Sequence, residues 1–347
     1  MQSLSEFLHS IPVDFDREEI YKKSLPYLVN ENYLNVLSGK TSFKEFHTNL
    51  ISLAKLPHGI GIGVALMAQI NIAGRVIQII SETNSNIFRI LEGITKGEII
   101  VALGVSEPEW KGRLSNLKST LTPNINGKYL LNGEKSFFTN GYNCNFFLVV
   151  VKIEQNYRVL ILDKNKPGLQ ITRFTLPFAV EATHCKIKFE NVEIENSEIL
   201  NFNYSMYAEN LRLSEMLSLA AIFCGYSEYT LNRIKENTTL VSILKDDESK
   251  QTKLLRCKTF IQLLKARILE ISEEKDKNPQ IELKSFFPYG TEFVVKEFYS
   301  TLEEIFPSEN LEPYFQDKLL FQYKDMLNES YIRRAGKTVS GITKSHE

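Results

Sequence analysis

The stretch from Val101 to Leu200 restricts the fold most, because its local chemistry is β while everything around it has helical spacing. Asn126-Gly127 lies between Thr120-Leu-Thr and Tyr129-Leu-Leu. That pair predicts a hairpin, since both central residues of a type I′ turn need positive φ. Phe146-Phe-Leu-Val-Val-Val-Lys-Ile153 and Tyr157-Arg-Val-Leu-Ile-Leu162 are rich in β-branched and aromatic residues, with Gln155-Asn156 as the expected turn of a second hairpin. Pro167-Gly168 marks a further turn, and Cys185-Lys-Ile-Lys-Phe189 alternates with period two, as a strand with one wet face does. Six to eight short strands are expected.

On either side the period changes. Residues 1–100 predict a helical domain, with an aspartate cap and early acids in Val13-Asp-Phe-Asp-Arg-Glu-Glu19 that suit the positive end of a helix dipole. The apolar run Gly59–Ile80 is long enough to raise a membrane span. Gln69, Asn71, Arg75 and Gln78 interrupt it, so a buried helix pair is expected instead. A last helix over Asn86–Leu91 turns on Gly97 into the β region.

Residues 201–347 predict an antiparallel bundle. Leu213, Leu217, Ala220, Cys224, Ser227, Leu231 and Ile234 form one stripe, and Leu254, Cys257, Ile261, Leu264, Ile268 and Ile271 form another that should face it. Asp246-Asp-Glu-Ser249 and Glu273–Pro279 are the expected connectors. Val294, Phe298, Leu302 and Ile305 mark a third helix stopped by Pro307, and Phe315–Ile332 a fourth. The fold class is therefore α+β: a helical N-terminal domain (1–100), a central β-barrel or sandwich domain (101–200) and a C-terminal helical bundle (201–347).

The balance of 41 basic and 42 acidic residues gives no electrostatic reason to expect nucleic acid or an anionic membrane as partner. Cys144, Cys185, Cys224 and Cys257 are scattered and the five histidines form no cluster, so neither a metal site nor a disulfide framework is indicated. The start Met1-Gln-Ser-Leu-Ser-Glu lacks the basic and apolar regions of a signal peptide, and a cytoplasmic protein is expected.

Two motifs sharpen the reading. Val101-Ala-Leu-Gly-Val-Ser-Glu-Pro108 and Leu131-Asn-Gly-Glu-Lys-Ser-Phe-Phe-Thr-Asn-Gly141 are preceded by Leu91-Glu-Gly-Ile-Thr-Lys-Gly-Glu98 and followed by Phe189-Glu-Asn-Val192. Their order between two helical domains resembles the acyl-CoA dehydrogenase family of flavoproteins. The resemblance implies an FAD-dependent oxidoreductase that desaturates an acyl thioester, carried by CoA or a carrier protein, as in fatty acid metabolism. It also implies an electron acceptor and an oligomer, either of identical subunits or with a homologue.

By the same resemblance, Ser106 and the backbone of Leu103 and Val105 would meet the pyrimidine end of the flavin. Thr139 would donate near N5, and Phe137 would lie against the ring. Donors aimed at that edge favour the reduced flavin, which gains electron density there. Glu209-Asn-Leu-Arg212 resembles the acidic-x-x-Arg pair beside the bound thioester, and Thr239 matches a hydroxyl donor near the dinucleotide.

The chain departs from the family elsewhere. Glu109-Trp-Lys-Gly-Arg113 replaces a run of small residues, Asn237 stands where an arginine meets the pyrophosphate, Leu240 replaces a phenylalanine, Pro307-Ser308 a glycine pair, and Ile194-Glu195 a Val-Pro step. No catalytic base is recognisable. Tyr323-Lys-Asp325 resembles the step before the family's late glutamate, yet Arg333-Arg-Ala-Gly-Lys-Thr338 has no acid. In a branch that places the base just before the bundle arginine, the position holds Leu211. Glu209 lies roughly 200° around the helix from it. Three readings follow: a dehydrogenase with its base elsewhere, a flavin-dependent relative performing oxygen chemistry, or a catalytically degenerate subunit paired with an active homologue.

Overall fold

The computed structural model describes residues 2–110, 112–124, 126–278 and 287–322. They fall into two compact units. The first comprises Met1–Thr41, Val64–Leu176 and Val180–Glu215; the second comprises Ser42–Gly63, Pro177–Ala179 and the chain from Met216 onward.

The N-terminal helices are α1 (Leu4–Ser10), α2 (Arg17–Asn30), α3 (Phe43–Leu53), α4 (Gly59–Met67), α5 (Arg75–Ser81) and α6 (Ser85–Thr95). The Asp16 side chain accepts from the Glu18 N–H at 3.0 Å and so caps α2, as the sequence predicts. α6 ends before Gly97, whose φ of 71° turns the chain toward the sheet.

The apolar run forms one helix rather than the expected pair: α4 continues through a π-helical segment, Ala68–Gly74, into α5. It is the one helix among the described residues long and apolar enough to cross a membrane, and 83% of its most apolar window is buried inside the protein. Gln69, one of the polar residues that interrupt it, serves as an internal anchor described below.

The sheet has eight strands: β1 (Val101–Gly104), β2 (Thr120–Pro123), β3 (Tyr129–Thr139), β4 (Phe146–Ile153), β5 (Asn156–Asp163), β6 (Leu169–Phe174), β7 (His184–Ile194) and β8 (Ile199–Asn203). Their order is β6-β7-β3-β2-β4-β5-β8, with β1 added in parallel to β4. Both expected hairpins form. β2 and β3 join where Asn124 N–H donates to the Lys128 carbonyl at 2.8 Å. The β4–β5 turn sits one residue earlier than expected, because Ile153 pairs with Asn156 and Glu154, at φ 53°, carries the reversal. β3 is interrupted against β7 by register shifts at Leu131/Gly133 and Lys135/Phe138.

In the second unit the long helices are α7 (Tyr204–Glu236), which begins in the first unit, α9 (Glu248–Lys277) and α10 (Phe287–Ile305); α8 (Thr238–Leu244), α11 (Ser308–Leu311) and α12 (Lys318–Gln322) are short. The two stripes meet as expected. Ser218 and Ser272 share His47, while Glu228 on α7 bonds Lys265 on α9 further along, so the helices run antiparallel. Asp247 caps α9, in agreement with a polar connector there. Glu273 does not begin a connector: α9 continues to Lys277, because Glu273 takes ion pairs from Lys44 and Lys277 on the helix surface. Of the predicted helix Phe315–Ile332, the described part is helical over Lys318–Gln322.

Candidate functional site

The first motif begins on β1, which has β4 on one side only. Ile100 and Asn145 exchange bonds on the β4 side, and the Val101 N–H points the other way, to Gln69 Oε1 at 3.0 Å. The same side chain donates to the Ile99 carbonyl at 2.9 Å, so the Gln69 amide acts as a short substitute strand. Backbone direction alternates along a strand, so the amide of Leu103 lies along that same edge, while Val105 follows the last residue of β1.

Past β1 the chain is held against β3. A Cβ on Gly104 would come within 2.2 Å of the Phe138 ring, so only glycine allows this approach. Lys135 Nζ donates to Glu107 Oε1 at 2.6 Å and to the Val105 carbonyl at 3.1 Å, and both side chains are buried. Glu107 also accepts from the backbone N–H of Lys118 at 2.5 Å and of Ser119 at 3.1 Å. Burial pushes the Glu107 carboxyl up, but the Lys135 ammonium and these donors outweigh it and hold the group below its usual range. Burial pulls the Lys135 ammonium down to about 8 against the carboxylate beside it, which leaves both groups charged at neutral pH. Between the two gripped residues, the Ser106 carbonyl accepts from the Ser136 N–H at 2.8 Å.

The second motif lies on β3. Thr139 is the cross-strand partner of His184 on β7, which in turn pairs with Phe174 on β6. Side chains of directly opposed residues share a face. The Phe137 ring is 4.6 Å from the His184 ring and 5.5 Å from that of Phe174, which places Phe137 on this face too. His184 is buried, and burial lowers its pKa to about 4, so it is a neutral imidazole at neutral pH. The hydroxyls of Ser106 and Thr139 are half-buried and have no hydrogen-bond partner among the described residues.

β3 ends at Asn140, in the left-handed region at φ 65°, where asparagine is tolerated. Its amide donates to the Ala65 carbonyl at 2.8 Å. Gly141 follows because a Cβ there would lie 2.5 Å from Cys185 Sγ. Both motifs are thus tied to the helix that carries Ala65 and Gln69.

Sequence reasoning singles out neither Glu107 and Lys135 nor His184. Lys135 has a readable signal, since it falls in phase with the buried Leu131 of an alternating strand and an acid is present in the other motif. His184 has none, because its relation to Thr139 is a matter of register.

The other predicted residues are dispersed. Glu209 is exposed and Arg212 half-buried on α7, with Leu211 buried between them. Thr239 is exposed on α8. Asn237 caps that helix, accepting from the N–H groups of Thr239 and Leu240 at 3.1 and 3.2 Å. Trp110 is half-buried, and its Nε1 is buried with no partner. It follows Glu109, whose φ of 62° is unusual for a non-glycine residue, and Arg113 is exposed. Lys111, Tyr323–Asp325 and Arg333–Thr338 lie outside the described residues. A separate apolar groove of about 430 Å³ between α1 and α2 is lined by Phe7, Phe15 and Tyr27 among others, and includes no motif residue.

Comparison with known proteins agrees with this fold. Residues 102–192 match the model of the acyl-CoA dehydrogenase middle domain. An L-prolyl-[peptidyl-carrier protein] dehydrogenase from a Serratia species is 26% identical over 161 residues, which are 44% of this chain and 41% of that enzyme's own length. Butyryl-CoA dehydrogenase from Megasphaera elsdenii superposes with a TM-score of 0.81 at 17% identity, over 97% of this chain and 96% of the other. The structure of PigA with FAD and proline superposes with a TM-score of 0.77 at 15% identity, over 94% and 90%. The β domain is thus similar in sequence to the acyl-CoA dehydrogenase middle domain, and the chain shares the fold of acyl-CoA dehydrogenases along nearly its whole length.

Proposed function

We propose that the chain is an FAD-dependent dehydrogenase acting on an acyl thioester. The observation that carries this reading is the donor set of the first unit: half-buried hydroxyls of Ser106 and Thr139 without hydrogen-bond partners among the described residues, together with the Leu103 amide on the open edge of β1. These groups fit the ring half of FAD, since all of them can donate to an edge that gains electrons, and Phe137 supplies an apolar surface. The adenylate half is served less well, because Asn237 is engaged as a helix cap and brings no charge to a pyrophosphate.

Bound FAD would supply the hydride acceptor for the β carbon of the acyl group. Ser106, Thr139 and the backbone of Leu103 and Val105 would orient the ring and favour its reduced form, while Glu209 and Arg212 would hold the thioester and Thr239 would add a hydroxyl donor for the dinucleotide. Desaturation also requires a base for the α proton. The buried, apolar Leu211 cannot serve, which favours a second reading in which the chain binds flavin without abstracting that proton, either in oxygen chemistry or as a degenerate partner of an active subunit.

The acyl group would be borne by CoA or by a carrier protein. The Serratia relative acts on a prolyl group borne by a carrier protein, and the butyryl enzyme is named for a CoA thioester. Purified protein is expected to show a flavin spectrum that bleaches when an acyl thioester is added without oxygen. Bound flavin that does not bleach supports the second reading. A colourless protein that refuses added FAD overturns both, and unchanged flavin content and potential in Thr139→Val would remove that residue from the site.

A further inference from the structure

We propose that the buried Glu107–Lys135 pair is a positioning device that measures the Ser106 hydroxyl against Thr139, using β3 as the common reference. This rests on the flavin reading above. Thr139 belongs to β3 directly. Ser106 does not, but each link of its backbone is fastened to that strand: Val105 through its carbonyl to Lys135 Nζ, Ser106 through its carbonyl to the Ser136 N–H, and Glu107 through its carboxylate to Lys135 Nζ again.

The irregularity of β3 makes this possible. The register with β7 shifts between Lys135 and Phe138, so Ser136 and Phe137 are not part of the β7 ladder. A bulge of this kind frees a backbone N–H and re-aims side chains. Here the freed N–H of Ser136 goes to Ser106, and Phe137 turns onto the face of Thr139 and His184. The other end of the loop is fixed by the Lys118 and Ser119 amides on the Glu107 carboxylate. A neutral hydrophobic pair could fill this volume at similar stability, so packing alone does not account for two charges here. What the charges add is a short, directional grip on the irregular backbone on either side of Ser106.

The test is flavin affinity, measured by titrating apoprotein with FAD, in a cycle that combines Glu107→Gln/Lys135→Met with Ser106→Ala. The double change removes both charges together, which avoids the unpaired buried charge that a single change leaves. The expected result is a cooperatively unfolding protein whose FAD dissociation constant rises by about tenfold or more. Ser106→Ala should weaken binding in the wild-type background and have no further effect in the neutralised one, because the hydroxyl is no longer held in place. The inference is overturned if the neutralised protein binds FAD like wild type, or if Ser106→Ala costs the same factor in both backgrounds. Should the double change fail to fold, Glu107→Asp keeps the charge while shortening its reach, and must show the same loss and the same non-additivity or the inference falls. Wild-type protein that binds no FAD would instead defeat the flavin reading.

Discussion

Two buried polar clusters, one in each unit, are built for different tasks. In the first unit Glu107 and Lys135 are both charged, and they grip carbonyl and amide groups of a loop that has no regular structure. In the second unit His47 is neutral, and it joins three regular helices by bonding Ser218 Oγ at 3.0 Å and Ser272 Oγ at 2.8 Å. Charge is retained where backbone must be held in an irregular path beside open donors. A neutral network suffices where helices already satisfy their own backbone. The difference indicates where the molecule invests in geometry and where it invests in cohesion.

The largest effect expected from breaking this contrast is in Lys135→Met alone. It strands the Glu107 carboxylate in a dry interior and should cost about 3–5 kcal/mol, seen as a large drop in the denaturant midpoint. His47→Leu should cost less, about 2–3 kcal/mol, because it removes two neutral hydrogen bonds and leaves no unpaired charge.

Acid titration separates the two clusters further. Burial lowers the pKa of His47 to about 3 and that of His184 to about 4. Unfolded histidine binds its proton near the ordinary 6.5, so below that pH the unfolded chain takes up protons that the native protein refuses. The two histidines should therefore add no slope above about pH 6.5, and stability should fall as the pH drops toward 4, by on the order of a few kcal/mol for each group. Glu107 has its pKa lowered, so its contribution is kept above the usual carboxylate range and lost only below it. His47→Leu should flatten the slope between pH 6.5 and 4; an unchanged slope would contradict the neutral state assigned to the helical cluster. The smallest effect is expected at the cap of α8, where Asn237→Ala should cost about 1 kcal/mol and leave flavin binding alone if that residue's role is confined to the helix end.

Much of the fold could be read in the chain because the deciding interactions are local. Asn126-Gly127, the alternation in Cys185–Phe189 and the aspartate before α2 act within a few residues, and the structure has a hairpin, a strand and a cap there, although the hairpin closes between Asn124 and Lys128 around three residues rather than the two of a type I′ turn. The π-helical stretch escaped because Ala68–Gly74 has the composition of an ordinary apolar helix. Of the candidate site, Ser106, Phe137 and Thr139 were legible as motif members, and the structure brings them to a loop and a strand fastened to each other. The lysine that fastens them shows only in its phase with Leu131, which does not reveal a partner 28 residues away. The register that sets His184 opposite Thr139 depends on bulges that no spacing in the sequence announces.

The Gln69 side chain has a consequence for solubility. An unpaired strand margin invites the margin of another molecule, and such pairing is a common start to aggregation. By occupying the first backbone groups of β1 with its own amide, this one residue shortens the exposed template to the few positions around Leu103. The stretch left bare is too brief to recruit a foreign strand.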